Sequence, residues 1–447
     1  MKQKQGKLSW ADHQEFLNLA LPLMILSLAT PLLGVVDTAI MGRLDQASYI
    51  GGISIAVLIF NTLYWVLGFL RVSTSGFTAQ ARGMNKTEEL TAAFFRPLMI
   101  AIVFGVLIIA FQYPIKYLAL IIMSPSAVVE ATASSYYDIR IWGAPFTLAG
   151  YVVTGWLLGM AKVRISMALQ ILMNIINMAL SLYFVLTLQL AGQGVAYASL
   201  ISEVVITLIG VGIVVRTKEF DCSFITKKML FAKTEFLNMM CVNRDLFIRT
   251  ICLLVVYNVV TYYGMQYGEI ILAANAVIMQ IHYMIAYFLG SFDNTTTVLV
   301  GRAIGKKDTC MYLKTVQLSV IWSTLTAAIL SLIILFFPEN IIAVFTNIVE
   351  VQQATGEYLY WMIIFPLVVY WGLVLYGFFL GATDSVPIRN STVASLLFFF
   401  VVLFLTVPYI GNHGVWMAFI AFSLGRTIFL WPYLSKLTRR MLLIGDE

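Results

Sequence analysis

Gly155-Trp-Leu-Leu-Gly159 and Gly377-Phe-Phe-Leu-Gly381 are one short phrase written twice, 222 residues apart in a chain of 447. Around them the chain keeps step with itself. Ala81-Arg-Gly83 returns as Ala303-Ile-Gly305 at the same offset, and Gly194-Val-Ala-Tyr-Ala198 returns as Gly414-Val-Trp-Met-Ala418 at an offset of 220. Any one pair is within chance. Three pairs at a nearly constant offset, each at the same place in its own half, indicate a duplication.

The duplicated unit is a set of membrane helices. The chain is 60% hydrophobic and 11% charged, with a mean hydropathy of +0.89, whereas a soluble domain carries about 25% charged residues. At about 20 residues per span plus short loops, the length accommodates twelve helices. The apolar runs place them near 16–42, 48–80, 92–123, 132–160, 164–190 and 194–216, then near 243–267, 270–302, 312–337, 352–382, 388–410 and 414–438. No run shows the strict alternation of a barrel strand. The expected fold is an all-α polytopic membrane protein with twelve transmembrane helices in two pseudo-symmetric six-helix bundles. The expected organisation is a first lobe over 1–216, a polar connection over 217–242 and a second lobe over 243–447. An even number of spans per repeat makes the repeats parallel, a plan that implies a cleft between lobes and rocking-type alternating access.

Lysine and arginine set the orientation. With both termini inside, the inner loops receive Lys2, Lys4, Lys7, Arg82, Lys86, Lys162, Arg164, Arg216, Lys227, Lys228, Arg302, Lys306, Lys307, Arg389, Arg439 and Arg440, while the outer loops keep Arg43 and Lys116. This is the positive-inside pattern. It implies a multi-pass protein of the cell (inner or plasma) membrane with both termini cytoplasmic. The net charge of +6 is the same bias in total, and nothing in it points to nucleic acid. The four cysteines form no CxxC pair, so neither a disulfide framework nor a metal site is expected. Phe16 onward is too long for a signal-peptide core and reads as a retained helix. No catalytic motif or His/Cys cluster supports a membrane-embedded enzyme, and no repeated Gly-rich filter loop supports a channel.

The first span, Leu21-Pro-Leu-Met-Ile-Leu-Ser-Leu-Ala-Thr-Pro-Leu-Leu-Gly-Val-Val-Asp-Thr-Ala-Ile-Met-Gly42, resembles the opening of multidrug and toxic compound extrusion (MATE) transporters. So do the helix ends at Gly159 and Gly381 and the paired Ala-x-Gly signals. Asn243-Arg-Asp-Leu-Phe-Ile-Arg-Thr250 and Ile271-Leu-Ala-Ala-Asn-Ala276 resemble the branch named after DNA-damage-inducible protein F. The resemblance covers essentially the whole chain. It implies export of small amphipathic, often cationic compounds, driven by an inward proton or sodium gradient. No cofactor is expected beyond that coupling ion, and a monomer surrounded by lipid is the expected state. A flippase for a lipid-linked precursor, which the wider superfamily also contains, is the alternative. Such a flippase would line its cleft with several cations, and the sequence places only Arg71 there.

Ionisable residues inside spans are the functional candidates, because each is costly unless paired or hydrated. Asp37 lies six residues before Arg43, about 9 Å below the outer end of its helix, where a carboxylate can bind and release a proton. Permanent pairing with Arg43 is the bland alternative, disfavoured because Arg43 sits at the interface and can snorkel to water. Asn174, Asn177 and Ser181 follow one another on a face of the fifth span, and Ser199 begins the sixth at the same outer depth. Together they make a candidate site for a proton or sodium, although Asn and Ser also serve as packing glue between helices. Asp37 and Asn177 match cation-binding positions of the resembling family. Where many relatives carry a second aspartate, this chain has Ser181, and where they carry an asparagine after Leu-Ala it has Gly150. Sodium wants a full shell of oxygens and a proton needs one base, so the departures favour proton coupling. The 222 offset carries Asp293 onto Arg71, an acid and a base at mirrored depths that would form a gate. Tyr64 and Tyr262 are candidates to line the cleft. Glu203, Arg140, Arg249 and Arg426 are expected to be paired or snorkelling within their own lobes, with partners the sequence does not assign.

Overall fold

The structure, a computed structural model, describes residues 8–41, 47–226, 229 and 232–444. Of residues 28–41, 47–50, 186, 191 and 440–444 it describes the backbone alone. Helix α1 spans Trp10–Met41. The first half continues with α2 (Gly51–Met84), α3 (Thr87–Ala110), α4 (Ala127–Gly159), α5 (Val163–Val185) and α6 (Gly192–Val215). The second half contains α7 (Lys233–Gln266), α8 (Glu269–Lys306), α9 (Thr309–Phe336), α10 (Tyr360–Gly381), α11 (Val386–Ile410) and α12 (Asn412–Arg439). Those eleven are the helices among the described residues long and apolar enough to cross a membrane. With α1 they make the twelve spans read from the sequence, and the described residues include no strand.

Two runs read as single helices are broken, and α2 tightens within one span. The apolar run 92–123 divides at Phe111 (φ −96°, ψ 16°), after which Gln112–Met123 forms a separate helix with no buried residue. The run 352–382 divides into Val349–Tyr358 and α10. In α2 the helix tightens at Gly68, whose N–H donates to Trp65 O (3.1 Å) and whose carbonyl accepts from Arg71 N–H (3.2 Å), both across three residues. Hydropathy adds up side chains and is blind to such backbone breaks.

The chain packs as two units, one of Ile25–Met239 and one of Met1–Met24 with Met240–Glu447. This division differs from the expected one at both ends. The start of α1 joins the second unit: Lys314 Nζ reaches Asp12 (2.9 Å), Arg302 reaches Glu15 (3.2 Å), Trp322 Nε1 donates to His13 Nδ1 (3.2 Å) and Phe16 stacks on Phe292. Much of the polar connection joins the first unit. Phe220 sits among Phe94, Phe95 and Trp156, and the Arg96 guanidinium donates twice to Met229 O (3.1 and 2.8 Å). An aromatic ring and a bidentate guanidinium hold the segment against the lobe despite its polarity.

Each unit has the same plan. In the first, α4 is the central helix and packs on α2, α3 and α6; in the second, α10 packs on α8, α9 and α12. The glycines explain the close approach. A Cβ on Gly155 would stand 2.4 Å from Arg71 O and 2.9 Å from Thr74 Cβ; one on Gly377 would meet Asp293 O (2.8 Å) and Thr296 Cβ (3.0 Å). A Cβ on Gly159 would meet Thr78 Cβ and Ser75 O (2.5 and 2.6 Å), and one on Gly381 would meet Val300 Cβ and Thr297 O (2.9 and 2.7 Å). Every partner is displaced by 222 from its counterpart. The duplication is therefore preserved at the level of atoms, in a seam where backbone meets backbone. Gly159→Val or Gly381→Val is expected to lose about 1–3 kcal/mol through overpacking. Gly290→Ala should be neutral or slightly stabilising, since nothing lies within 4 Å of its Cβ position. Thermal unfolding of the detergent-solubilised protein checks the contrast.

Candidate coupling site

In the first unit, α5 and α6 bring two of the candidate side chains together. Asn177 Nδ2 donates to Ser199 Oγ at 3.0 Å, and both residues are buried. Ser181, one turn along α5, is fully buried. Asn177 Oδ1 and Ser181 Oγ are buried oxygens with no hydrogen-bonding partner among the described residues. A buried polar atom left in that state costs about 1–3 kcal/mol. Two residues beyond Ser181, α5 loosens into a π-helical turn, Tyr183–Thr187, a local feature common where a helix carries function. Asn174 does not join the group: it is half-buried and accepts from Gln170 Nε2 (3.3 Å). Asp37 belongs to the backbone of α1, and its side chain lies outside the described residues, as does Arg43.

Beside this group stands a charged pair that the sequence left unassigned. Arg140 Nη2 on α4 donates to Glu203 Oε1 on α6 (2.7 Å), and Thr147 Oγ1 donates to Glu203 Oε2 (2.7 Å). Arg140 also donates to Tyr136 OH (2.9 Å) and lies over the Phe60 ring. Both carboxylate oxygens are thus satisfied. The 3₁₀ turn Ile141–Gly143 brings α4 to the pair at Gly143, where a Cβ would stand 3.0 Å from Glu203 Oε2. Tyr64, proposed for the cleft, is buried in the electrostatic field of this pair.

Arg71 is exposed on α2 and Asp293 is buried on α8, and they belong to different units. Within its own unit each presents its backbone carbonyl to a seam glycine, as the repeat requires. Tyr262 is exposed at the end of α7, edge-on to Tyr263.

Sequence reading passed over several polar contacts in the second unit. Asp245 is fully buried and accepts from Ser385 Oγ (2.8 Å) and Arg389 Nη1 (3.0 Å), which clasps α7 to the start of α11. Asn275 and Asn412 exchange amide hydrogen bonds of 2.9 Å, and Trp416 Nε1 donates to Asn275 Oδ1 (2.9 Å), which clasps α8 to α12. Asp245 and Asn275 sit in the two branch-like motifs, so both motifs serve packing. His282 is buried in a cage of Tyr257, Tyr283, Phe365 and Phe419, with Nε2 3.3 Å from Tyr257 OH and Nδ1 without a partner among the described residues. Its signal was available: it is a histidine inside an apolar span. No group of three or more His, Cys, Asp or Glu among the described residues is arranged to hold a metal ion.

Comparison with known proteins agrees with this architecture. The MatE family model matches residues 22–183 and 246–405, one stretch in each repeat. DNA damage-inducible protein F of Escherichia coli (strain K12) is 35% identical over 407 residues, covering 91% of this chain and 88% of that protein. A probable multidrug resistance protein NorM of Bacillus subtilis (strain 168) is 21% identical, covering 96% of each. Among solved structures, a MOP superfamily transporter from Pyrococcus furiosus superposes with a TM-score of 0.84 at 18% identity, over 97% of this chain and 96% of that one. A MATE structure in the bent conformation superposes with a TM-score of 0.86 at 18% identity, over 99% and 97%. With the matched family model spanning both repeats and a relative of this identity along nearly its whole length, the chain belongs to the MatE family of multidrug transporters.

Proposed function

We propose that this chain is a secondary active exporter of amphipathic organic compounds, in which proton return through the first lobe drives alternating access. The observation that carries the reading is the pair of buried oxygens, Asn177 Oδ1 and Ser181 Oγ, that have no partner among the described residues, beside the Asn177–Ser199 hydrogen bond. Buried polar atoms are retained without partners where a ligand completes them. Asp37 supplies the base, and Asn177, Ser181 and Ser199 orient a proton-bearing water toward it. One carboxylate and three neutral oxygens suit a proton better than sodium, which asks for a fuller oxygen shell. The compounds that the resemblance implies are often cationic; the charge inside the second lobe bears on that sign.

Purified protein in lipid vesicles with a pH gradient or a sodium gradient, imposed separately, tests the coupling. A pH gradient alone should drive dye counterflow, and a sodium gradient alone should not. The reverse result moves the site to sodium.

The proposed orientation places both termini and the 217–242 connection in the cytoplasm of a monomer in the cell membrane, because the basic loops require it. In a background lacking Cys222, Cys241, Cys252 and Cys310, Leu190→Cys should react with an impermeant thiol reagent in intact cells and Leu230→Cys should not. Strong labelling at 230 with none at 190 overturns the orientation.

A further inference from the structure

The middle of the second lobe carries more positive charge than negative. Arg249 and Arg426 lie near the midpoints of α7 and α12, each about 20 Å or more from either helix end. Asp293 on α8 is the carboxylate that shares their surroundings. All three converge on one stretch of α10. The Arg249 guanidinium lies 4.2 Å over the Tyr376 ring. A Cβ at Gly377 would stand 3.1 Å from Asp293 Oδ1, and one at Gly372 would stand 3.8 Å from Arg426 Cβ. Arg426 lies in the electrostatic field of Arg249, Tyr257, Tyr376 and Asp293.

Neither arginine takes part in an ion pair among the described residues. Arg249 Nε is a buried donor with no acceptor there. Both side chains are half-buried. A guanidinium turned to lipid at this depth is costly, so a half-buried one favours a place facing the bundle interior or water. The first lobe pairs its deep Arg140 with Glu203; beside α10 in the second, the described residues set two guanidinium groups against the one carboxylate of Asp293. The excess positive charge and the unmet donor call for an acceptor that carries negative charge.

We propose that the second lobe binds the acidic headgroup of a small amphipathic organic anion, a carboxylate or sulfonate, between Arg249 and Arg426. Planar guanidinium groups offer paired N–H donors that match the two oxygens of such a headgroup. The rings of Tyr257 and Tyr376 lie against its apolar body. Asp293 competes with the headgroup for the arginines and weakens its hold, which favours release. This deepens the transport reading above and rests on it, while reversing the charge of the compounds that the resemblance implies.

The test uses the full chain in lipid vesicles with two probes, the anionic dye anilinonaphthalene sulfonate and the cationic dye ethidium. Under a pH gradient the sulfonate should move faster than ethidium. For one proton exchanged, export of a monovalent anion moves charge across the membrane, whereas export of a monovalent cation moves none. A potassium–valinomycin potential should therefore change sulfonate flux strongly. Arg249→Gln and Arg426→Gln should each weaken saturable sulfonate binding roughly ten- to a hundredfold, the range for hydrogen bonds to charged groups. Arg426→Lys should keep part of the binding, and Asp293→Asn should tighten it several-fold, so the proposal remains testable if a glutamine variant fails to fold. If ethidium moves and the sulfonate neither moves nor binds, the anion proposal falls and the transport reading stands. If neither dye moves under a pH or a sodium gradient, the transport reading falls and takes the proposal with it. Weaker sulfonate binding in Asp293→Asn would remove the competing role of that carboxylate and overturn the proposed arrangement.

Discussion

Asp37→Asn is expected to abolish pH-driven efflux, by at least about a hundredfold, while leaving the protein at its normal level in the membrane. The amide is nearly isosteric and hydrogen-bonds on both sides, but it cannot take up and release a proton, so under the proposed coupling the cycle loses its driving ion. Asn177, Ser181 and Ser199 are neutral and can only orient what the carboxylate binds. Ser181→Ala and Ser199→Ala should therefore slow transport about tenfold without uncoupling it, the scale of one or two lost hydrogen bonds. Efflux and proton flux measured on the same vesicles separate the two classes. Wild-type efflux from Asp37→Asn removes this residue from the mechanism.

Glu203→Gln and Arg140→Gln should act on stability instead. Each leaves an uncompensated charge within the lobe, and breaking a buried pair costs about 3–5 kcal/mol. The two side chains are 11% and 16% exposed, so solvent screens little of that loss. The double variant, with no charge left to bury, should recover most of it. Melting of the solubilised protein gives all three values, and their double-mutant cycle gives the coupling. A Glu203→Gln protein as stable as wild type would show that the pair is incidental to the lobe.

How the sequence foretold this structure depends on what kind of contact is asked about. The spans and the duplication were legible because they rest on single residues counted along the chain: apolar runs of sufficient length, and glycines where no Cβ fits. The breaks at Phe111 and before Tyr360 were not, since the residues on either side are equally apolar. Pairings across helices were legible only as a class. Arg140 and Glu203 had to be satisfied within their lobe, but 63 residues separate them, and which face of α4 meets α6 depends on helix rotation. The candidate site shows the same limit. Asn174 and Asn177 are three residues apart on α5, yet one bonds along its own helix to Gln170 and the other across to Ser199. The packing of the start of α1 with the second unit was not legible, because its partners, Lys314, Arg302, Trp322 and Phe292, lie far along the chain.

The glycine seams bear on the history of the molecule. Once a half-length ancestor had doubled, each copy was free to change any side chain that faced lipid, water or a cavity. At Gly155, Gly159, Gly377 and Gly381 there was no such freedom, because any larger residue strikes a neighbouring backbone or Cβ atom. Some partners of those glycines differ between the copies, so that Arg71 in one answers to Asp293 in the other while both carbonyls keep their place. Opposite charges have thus descended from one ancestral position. The seam kept the copies superposable while the positions beside it acquired separate tasks.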